Sequence, residues 1–181
     1  MADNDKELAK QIILEIVRQA GGTLTNKTNL YKAFYHAHLR FAETQPSYLS
    51  AWPIVRMPRG PGIDRFDVLL GELMAEGKLE TKEVTLGEYR AFRFMLLKDV
   101  ECGDLPVGAV DAIAYGVAQV EGKAAERVSR ESHDMSRAWR EAEDGEELNI
   151  YTDLLSDEEY QERIERSRAL AEAMGLALPR R

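Results

Sequence analysis

Three features of this 181-residue sequence predict a mainly helical α+β fold, a compact helical domain with a winged-helix-like β-hairpin. Apolar residues recur at helical spacing along most of the chain, and capping residues or glycines bound the runs. One stretch, about 78–97, instead alternates with period two around a turn at Leu86–Glu88, which predicts a hairpin. The order of elements is helix, helix, loop, helix, hairpin, which is that of a winged-helix unit.

The first helix rests on Leu8, Ile12, Ile13, Ile16 and Val17, with Lys6, Lys10, Glu15 and Arg18 interleaved as its polar face. Gly21 and Gly22 end it, because glycine adopts the left-handed cap without a Cβ penalty. The second helix carries Leu30, Tyr31, Phe34, Tyr35, His38 and Leu39 after the candidate caps Thr28 and Asn29, and its aromatic stripe reads as a core seam. Residues 42–62 contain Pro46, Pro53, Pro58 and Pro61, which exclude a regular helix. An ordered loop with a short extended piece is expected there, fastened by Trp52, Ile54, Val55 and Met57 and closed by a tight Arg59-Gly60-Pro61-Gly62 turn.

Asp64 as N-cap, Asp67 at the third helical position and an Ile63–Val68 staple predict the start of the third helix. Phe66, Leu69, Leu70, Leu73 and Met74 form its expected buried face, and Gly77 ends it. In the hairpin, Tyr89, Ala91, Arg93 and Met95 alternate with Arg90, Phe92, Phe94 and Leu96. A fourth helix with Val107, Val110, Ile113, Ala114 and Val117 on one face follows Pro106. Shorter helices are expected over Lys123–Arg130 and Ser136–Ala142, with a capped junction at Ser132-His133-Asp134 and contacts to the core from Ile150 and Tyr151. Ser156 and Glu159 form a capping box that opens a last helix, to about Met174, whose apolar face is thin: Tyr160, Ile164, Leu170 and Met174. Pro179-Arg180-Arg181 is expected to fray.

Composition narrows the function classes. Apolar residues are 44% and charged residues 31%, a globular balance, and the single cysteine, Cys102, excludes a disulfide framework and multi-cysteine metal centres. The N-terminal MADNDKELAK has no apolar signal segment, so a soluble cytoplasmic protein without membrane contacts is expected. The net charge of -8 is uneven: residues 1–100 carry 14 basic and 13 acidic side chains, residues 101–181 carry 10 and 19. Between Arg18 and Arg65 seven basic residues face only Glu43 and Asp64, whereas Glu141–Glu147 is almost wholly acidic. Such asymmetry steers a partner, or another copy of the chain.

No catalytic constellation emerges. His36 and His38 lie two apart on a helix and point in different directions, so with His133 they make no metal motif. Cys102 and the serines have no nucleophile motif, and RGPG lacks phosphate-loop spacing. No cofactor is expected. A DNA-binding surface would need Arg56, Arg59, Arg65, Arg90 and Arg93 on one face, yet the third helix, DRFDVLLGELMAE, has one arginine and four acids.

Several islands stand in a distinctive order: Leu30-Tyr31-Lys32-Ala33-Phe34-Tyr35, Arg59-Gly60-Pro61-Gly62, Gly77-Lys78-Leu79, Ser129 to His133, and Ala138-Trp139. In this the chain resembles the Panacea domain, the SocA-like domain of antitoxins and phage-associated proteins. The Gly60-Pro61 step, Ser132-His133 and Ala138-Trp139 match that family's pattern, while Gly62 stands where an apolar residue is usual and Ile63 follows it. The resemblance spans about Leu8–Tyr151, with a Panacea-like domain over 1–151 and a separate helix and tail over 152–181. It implies a non-catalytic, cofactor-free domain that neutralises a cognate toxin encoded nearby. Its family positions are Tyr31, Phe34, Tyr35, Trp52, Gly60, Pro61, Ser132, His133 and Trp139. The alternative is a transcriptional regulator with an atypical winged helix.

Overall fold

The apolar stripe of the first helix needs cover, and α1 (Asp3–Gln19) runs through the centre: Ala9, Ile12, Ile13, Leu14, Ile16 and Val17 are all buried. The computed structural model describes residues 3–97 and 103–176; Cys102 and the Pro179–Arg181 tail lie outside the described residues. Gly21 and Gly22, both at positive φ, turn the chain into β1 (Thr23–Thr25). This three-residue strand has no signal of its own in the sequence. It forms by pairing with β5, its Leu24 opposite Phe94.

Asn26, not Thr28 or Asn29, precedes α2 (Lys27–Thr44), which is buried along most of its length. The proline-rich segment is more ordered than a loop. β2 (Ile54–Met57) and β3 (Gly60–Ile63) form an antiparallel hairpin, and all four residues of the Gly-Pro-Gly-Ile strand are buried. Pro61 is tolerated because this two-stranded sheet leaves its missing N–H without a ladder to break.

α3 (Phe66–Ala75) starts one residue later than expected. Arg65, at φ 43°, is its N-cap, so Asp67 falls at the second helical position. The expected staple is absent, because Ile63 is buried while Val68 is 52% exposed. Met74 also leaves the predicted core face, at 43% exposed. β4 (Leu79–Leu86) and β5 (Tyr89–Leu96) form the predicted hairpin, and with β1 they give a sheet in the order β1-β5-β4. Three helices and this sheet follow one another in the predicted helix, helix, loop, helix, hairpin order of a mainly helical α+β domain, with the β2–β3 hairpin set between the second and third helices.

α4 (Ala109–Val120) buries Ile113 and Val117 of the predicted face together with Ala109, Ala112, Gly116 and Val120; the other three predicted positions are exposed, Val107 at 90%, Val110 and Ala114. Gly116 sets this rotation. A Cβ there would overlap the Ala33 carbonyl and lie 3.0 Å from the Ala37 nitrogen, so α4 and α2 cross backbone to backbone. α5 (Ala125–Met135) extends through Ser132-His133, which is therefore helical and not a junction; the break falls at Ser136, which caps α6 (Arg137–Glu141). A 3-10 turn (Ile150–Leu154) follows, with Ile150 buried and Tyr151 stacked on Tyr48. α7 (Asp157–Ala173) has the predicted capping box, but only Ala171 is buried on it, and Leu170 and Met174 are exposed. No helix among the described residues is long and apolar enough to cross a membrane.

Candidate functional site

Five of the resemblance positions, Gly60, Pro61, Ser132, His133 and Trp139, meet at one place, the β2–β3 hairpin. Three of its carbonyls are held by side chains from other elements. The Trp139 indole N–H donates to the Met57 carbonyl at 2.8 Å, Ser129 Oγ to the Arg59 carbonyl at 3.0 Å, and Lys32 Nζ to the Pro61 carbonyl at 2.6 Å. His133 lies near the Arg59 carbonyl, and its Nε2 is buried without a partner. Gly60 closes the arrangement at φ 96°: a Cβ there would collide with Ser132 Oγ and lie 2.8 Å from Lys32 Nζ. A glycine is thus required both by the backbone conformation and by the space.

Around this turn the aromatic groups are layered. Trp139 is half-buried, not the fully buried anchor its size suggests. His133 stacks on it at 3.8 Å, nearly parallel, and the Arg56 guanidinium lies 4.7 Å from its ring centroid. Arg56 Nε donates to the Trp139 carbonyl, and its Nη1 pairs with Asp144. Behind this layer Asp153 gathers three donors: Tyr35 Oη at 2.8 Å, Ser136 Oγ at 2.7 Å and the Ala138 N–H at 2.9 Å. Burial, then the Asp153 charge, push the Tyr35 phenol upward, so it remains a donor.

The electrostatics centre on Lys32, which is 1% exposed. Burial alone lowers its amine to about 7, since no carboxylate offsets the loss of water. His36, one turn along α2, is lowered to about 4 by burial and then by Lys32 and Lys123. Burial and Lys32 also lower His133. His38 points away, as expected, between the Phe34 carbonyl and Ser50 Oγ, and burial lowers it to about 4. Lys32, Ser132 and Gly60 form a sealed cluster, so its chemistry in this conformation is to hold the hairpin.

The structure therefore unites Gly60, Pro61, Ser132, His133 and Trp139, with Tyr35 reaching them through Asp153 and Ser136. Tyr31 packs edge-on against Phe66, Phe34 lies against His38, and the Trp52 indole donates to the Asp64 carbonyl; these three serve the core elsewhere. Lys32 and Asp153 are the residues sequence reasoning missed. Lys32 stands as one cation in an aromatic helix stripe, which is the only signal it offered.

The five candidate nucleic-acid arginines are divided. Arg56 and Arg59 belong to the β2–β3 hairpin, Arg65 lies over the Trp52 ring and pairs with Asp64, and Arg90 pairs with Glu83 on the wing. Arg93 sits further along β5 with its Nε buried and unpartnered. The acidic run is not a free tail: backbone bonds between Arg56, Gly145 and Glu146 and between Leu148 and Ile54 lay it along β2. Among the described residues, the carboxylates close enough to share a cation, Glu7, Glu72 and Glu76, converge on the ammonium of Lys10. Comparison with known proteins finds no matching family model, no matching curated protein and no matching solved structure.

Proposed function

We propose that this chain is a non-catalytic protein-binding module of the Panacea type, antitoxin-like, which neutralises a cognate toxin by direct binding. The observation that carries this reading is the face of α3. A winged helix offers this helix to the DNA major groove, where it needs polar donors and cations. Here the exposed residues of the helix are Asp67, Val68, Gly71, Met74 and Ala75, without a lysine or arginine. The neighbouring wing adds Phe92, 52% exposed. Methionine and aromatic groups with few charges suit the centre of a protein interface and offer nothing to a phosphate backbone.

Co-expression with the adjacent open reading frame tests the reading. The neighbour is expected to arrest growth alone, to be harmless when co-expressed, and to co-purify with the tagged chain. Val68→Asp with Met74→Asp should abolish co-purification while the circular dichroism spectrum is kept. An inert, unbound neighbour would refute it. The second reading, a DNA-binding regulator, draws on the β1-β5-β4 winged-helix sheet and on Arg90 exposed on the wing. It requires binding to the chain's own upstream DNA that weakens steeply with salt.

A further inference from the structure

We infer that α5 and α6 form a lid over Lys32, and that opening this lid takes up a proton on the Lys32 amine. The lid is held by few apolar contacts. α5 buries only Val128, Ser129 and Ser132, and α6 buries no residue fully. Its ties are polar: Ser129 Oγ on the Arg59 carbonyl, the Trp139 indole on the Met57 carbonyl, Arg56 Nε on the Trp139 carbonyl, and Ser136 Oγ and the Ala138 N–H on Asp153. Segments with little apolar burial and hydrogen bonds near solvent are the ones that open short of global unfolding.

Beneath the lid the amine has one hydrogen-bond acceptor, the Pro61 carbonyl, and like Ser132 Oγ it lies close against Gly60. Lys32 acts on two imidazoles, His36 on its own helix and His133 on α5; Lys123 in the α4–α5 link and Glu131 on α5 also act on the first, and Asp134 on α5 and Arg56 on β2 on the second. Glu131 is engaged by Lys123 and Arg127. Closing the lid strips water from the amine and supplies no counter-charge, so the closed state favours the neutral form. Opening restores water, and the amine then takes a proton from solvent at any pH below its ordinary value. Both imidazoles are held low, so between pH 7 and 9.5 the amine is the group in this cluster that responds. By linkage, the open population grows about tenfold for each pH unit of acidification down to about 7, and is level below that. Opening also frees Ser129 and Ser132, which are otherwise buried.

Amide hydrogen exchange across pH 7–9.5 tests this on the intact chain. Residues of α5 are expected to exchange at least about tenfold faster than those of α2 and α4, because they open locally. Their observed rate should stay nearly constant with pH, since the base-catalysed rise in exchange chemistry is cancelled by the fall in open population. In Lys32→Met the α5 amides should slow and regain a rise of about tenfold per pH unit, because the proton linkage is gone. A wild-type α5 rate that climbs tenfold per pH unit would overturn the proton linkage. Exchange of α5 no faster than that of α2 would overturn the lid. The wild-type measurement decides both points even if the variant misfolds.

Discussion

Two seams of this molecule each bury a lysine, and they do so in opposite ways. At the α1–α3 seam Lys10 is 2% exposed, yet its ammonium is surrounded by Glu7, Glu72 and Glu76. Burial pulls its pKa down, but the hydrogen bonds it donates to Glu76, Glu7 and Glu72 together outweigh that pull and hold it above its ordinary value. At the seam of α2, the β2–β3 hairpin and α5, Lys32 is as deeply buried and has a single carbonyl. Its pKa falls instead, to about 7. Depth of burial is thus a poor guide to what a lysine does; the number of carboxylates within reach decides whether the site keeps the proton or sheds it. The first seam is a salt-bridged clamp, and the second is a place where the fold carries unrelieved desolvation.

Acid should separate the two seams. His36, in the Lys32 seam, has a folded pKa lowered to about 4, so the stability it contributes is lost as pH falls from about 6.5 to 4. The expected loss is about 2.5 kcal/mol, read as the difference between wild type and His36→Gln in urea midpoints at pH 7 and 4.5. The Lys10 seam should hold longer, because Glu72 and Glu76 are lowered and release their contribution only below the ordinary carboxylate range. Loss of the Lys10 seam before pH 6 would break the comparison.

Gly60→Ala should cost about 3 kcal/mol by forcing a side chain into a positive-φ position already occupied by Ser132 and Lys32. Thermal unfolding measures it, and an unchanged midpoint would mean that the Lys32 seam is looser than described. Lys32→Met should stabilise by about 2 kcal/mol at pH 7, the relief of desolvation less the cost of an unpaired Pro61 carbonyl. The gain should shrink as pH rises from about 7 towards 10.5, because the wild-type amine is then neutral in the unfolded chain as well. Lys10→Met should have the opposite sign and the smallest size, a loss of about 1–2 kcal/mol, since the carboxylates it leaves behind are one-third to one-half exposed. Chemical denaturation of the two variants side by side shows whether the signs differ. Equal signs would show that side-chain volume, not charge, governs both sites.

Much of the fold was legible because its signals are local. The Ser156–Glu159 capping box, the period-two wing and the Gly21-Gly22 stop each act within about four residues, and each appears as expected. The errors share a cause. The strand Gly60–Ile63 hides in a segment whose prolines read as loop, because its pairing partner and the side chains that satisfy its carbonyls come from elsewhere. The α4 face is right at Ile113 and Val117 and wrong at Val110 and Ala114, because Gly116 admits α2 so closely that Ala109 and Ala112 turn inward instead. Lys10 and Glu15 looked like polar-face residues and are both buried, since α1 is enclosed on nearly every side. At the candidate site, Gly60, Pro61, Ser132, His133 and Trp139 were found by their order, while Lys32 and Asp153 were not, because nothing in their neighbours marks a side chain for burial.

By itself the sequence determined the helices, the wing and their order, since capping, turn chemistry and apolar periodicity are properties of neighbouring residues. Only the tertiary structure decided the protonation of the two lysines and the fate of the proline segment. Lys10 meets Glu72 and Glu76 across 62 and 66 residues, Lys32 meets Pro61 across 29, and Met57 meets Trp139 across 82. Desolvation and charge pairing depend on what surrounds a group in space, and those surroundings come from chain segments that no local pattern brings together.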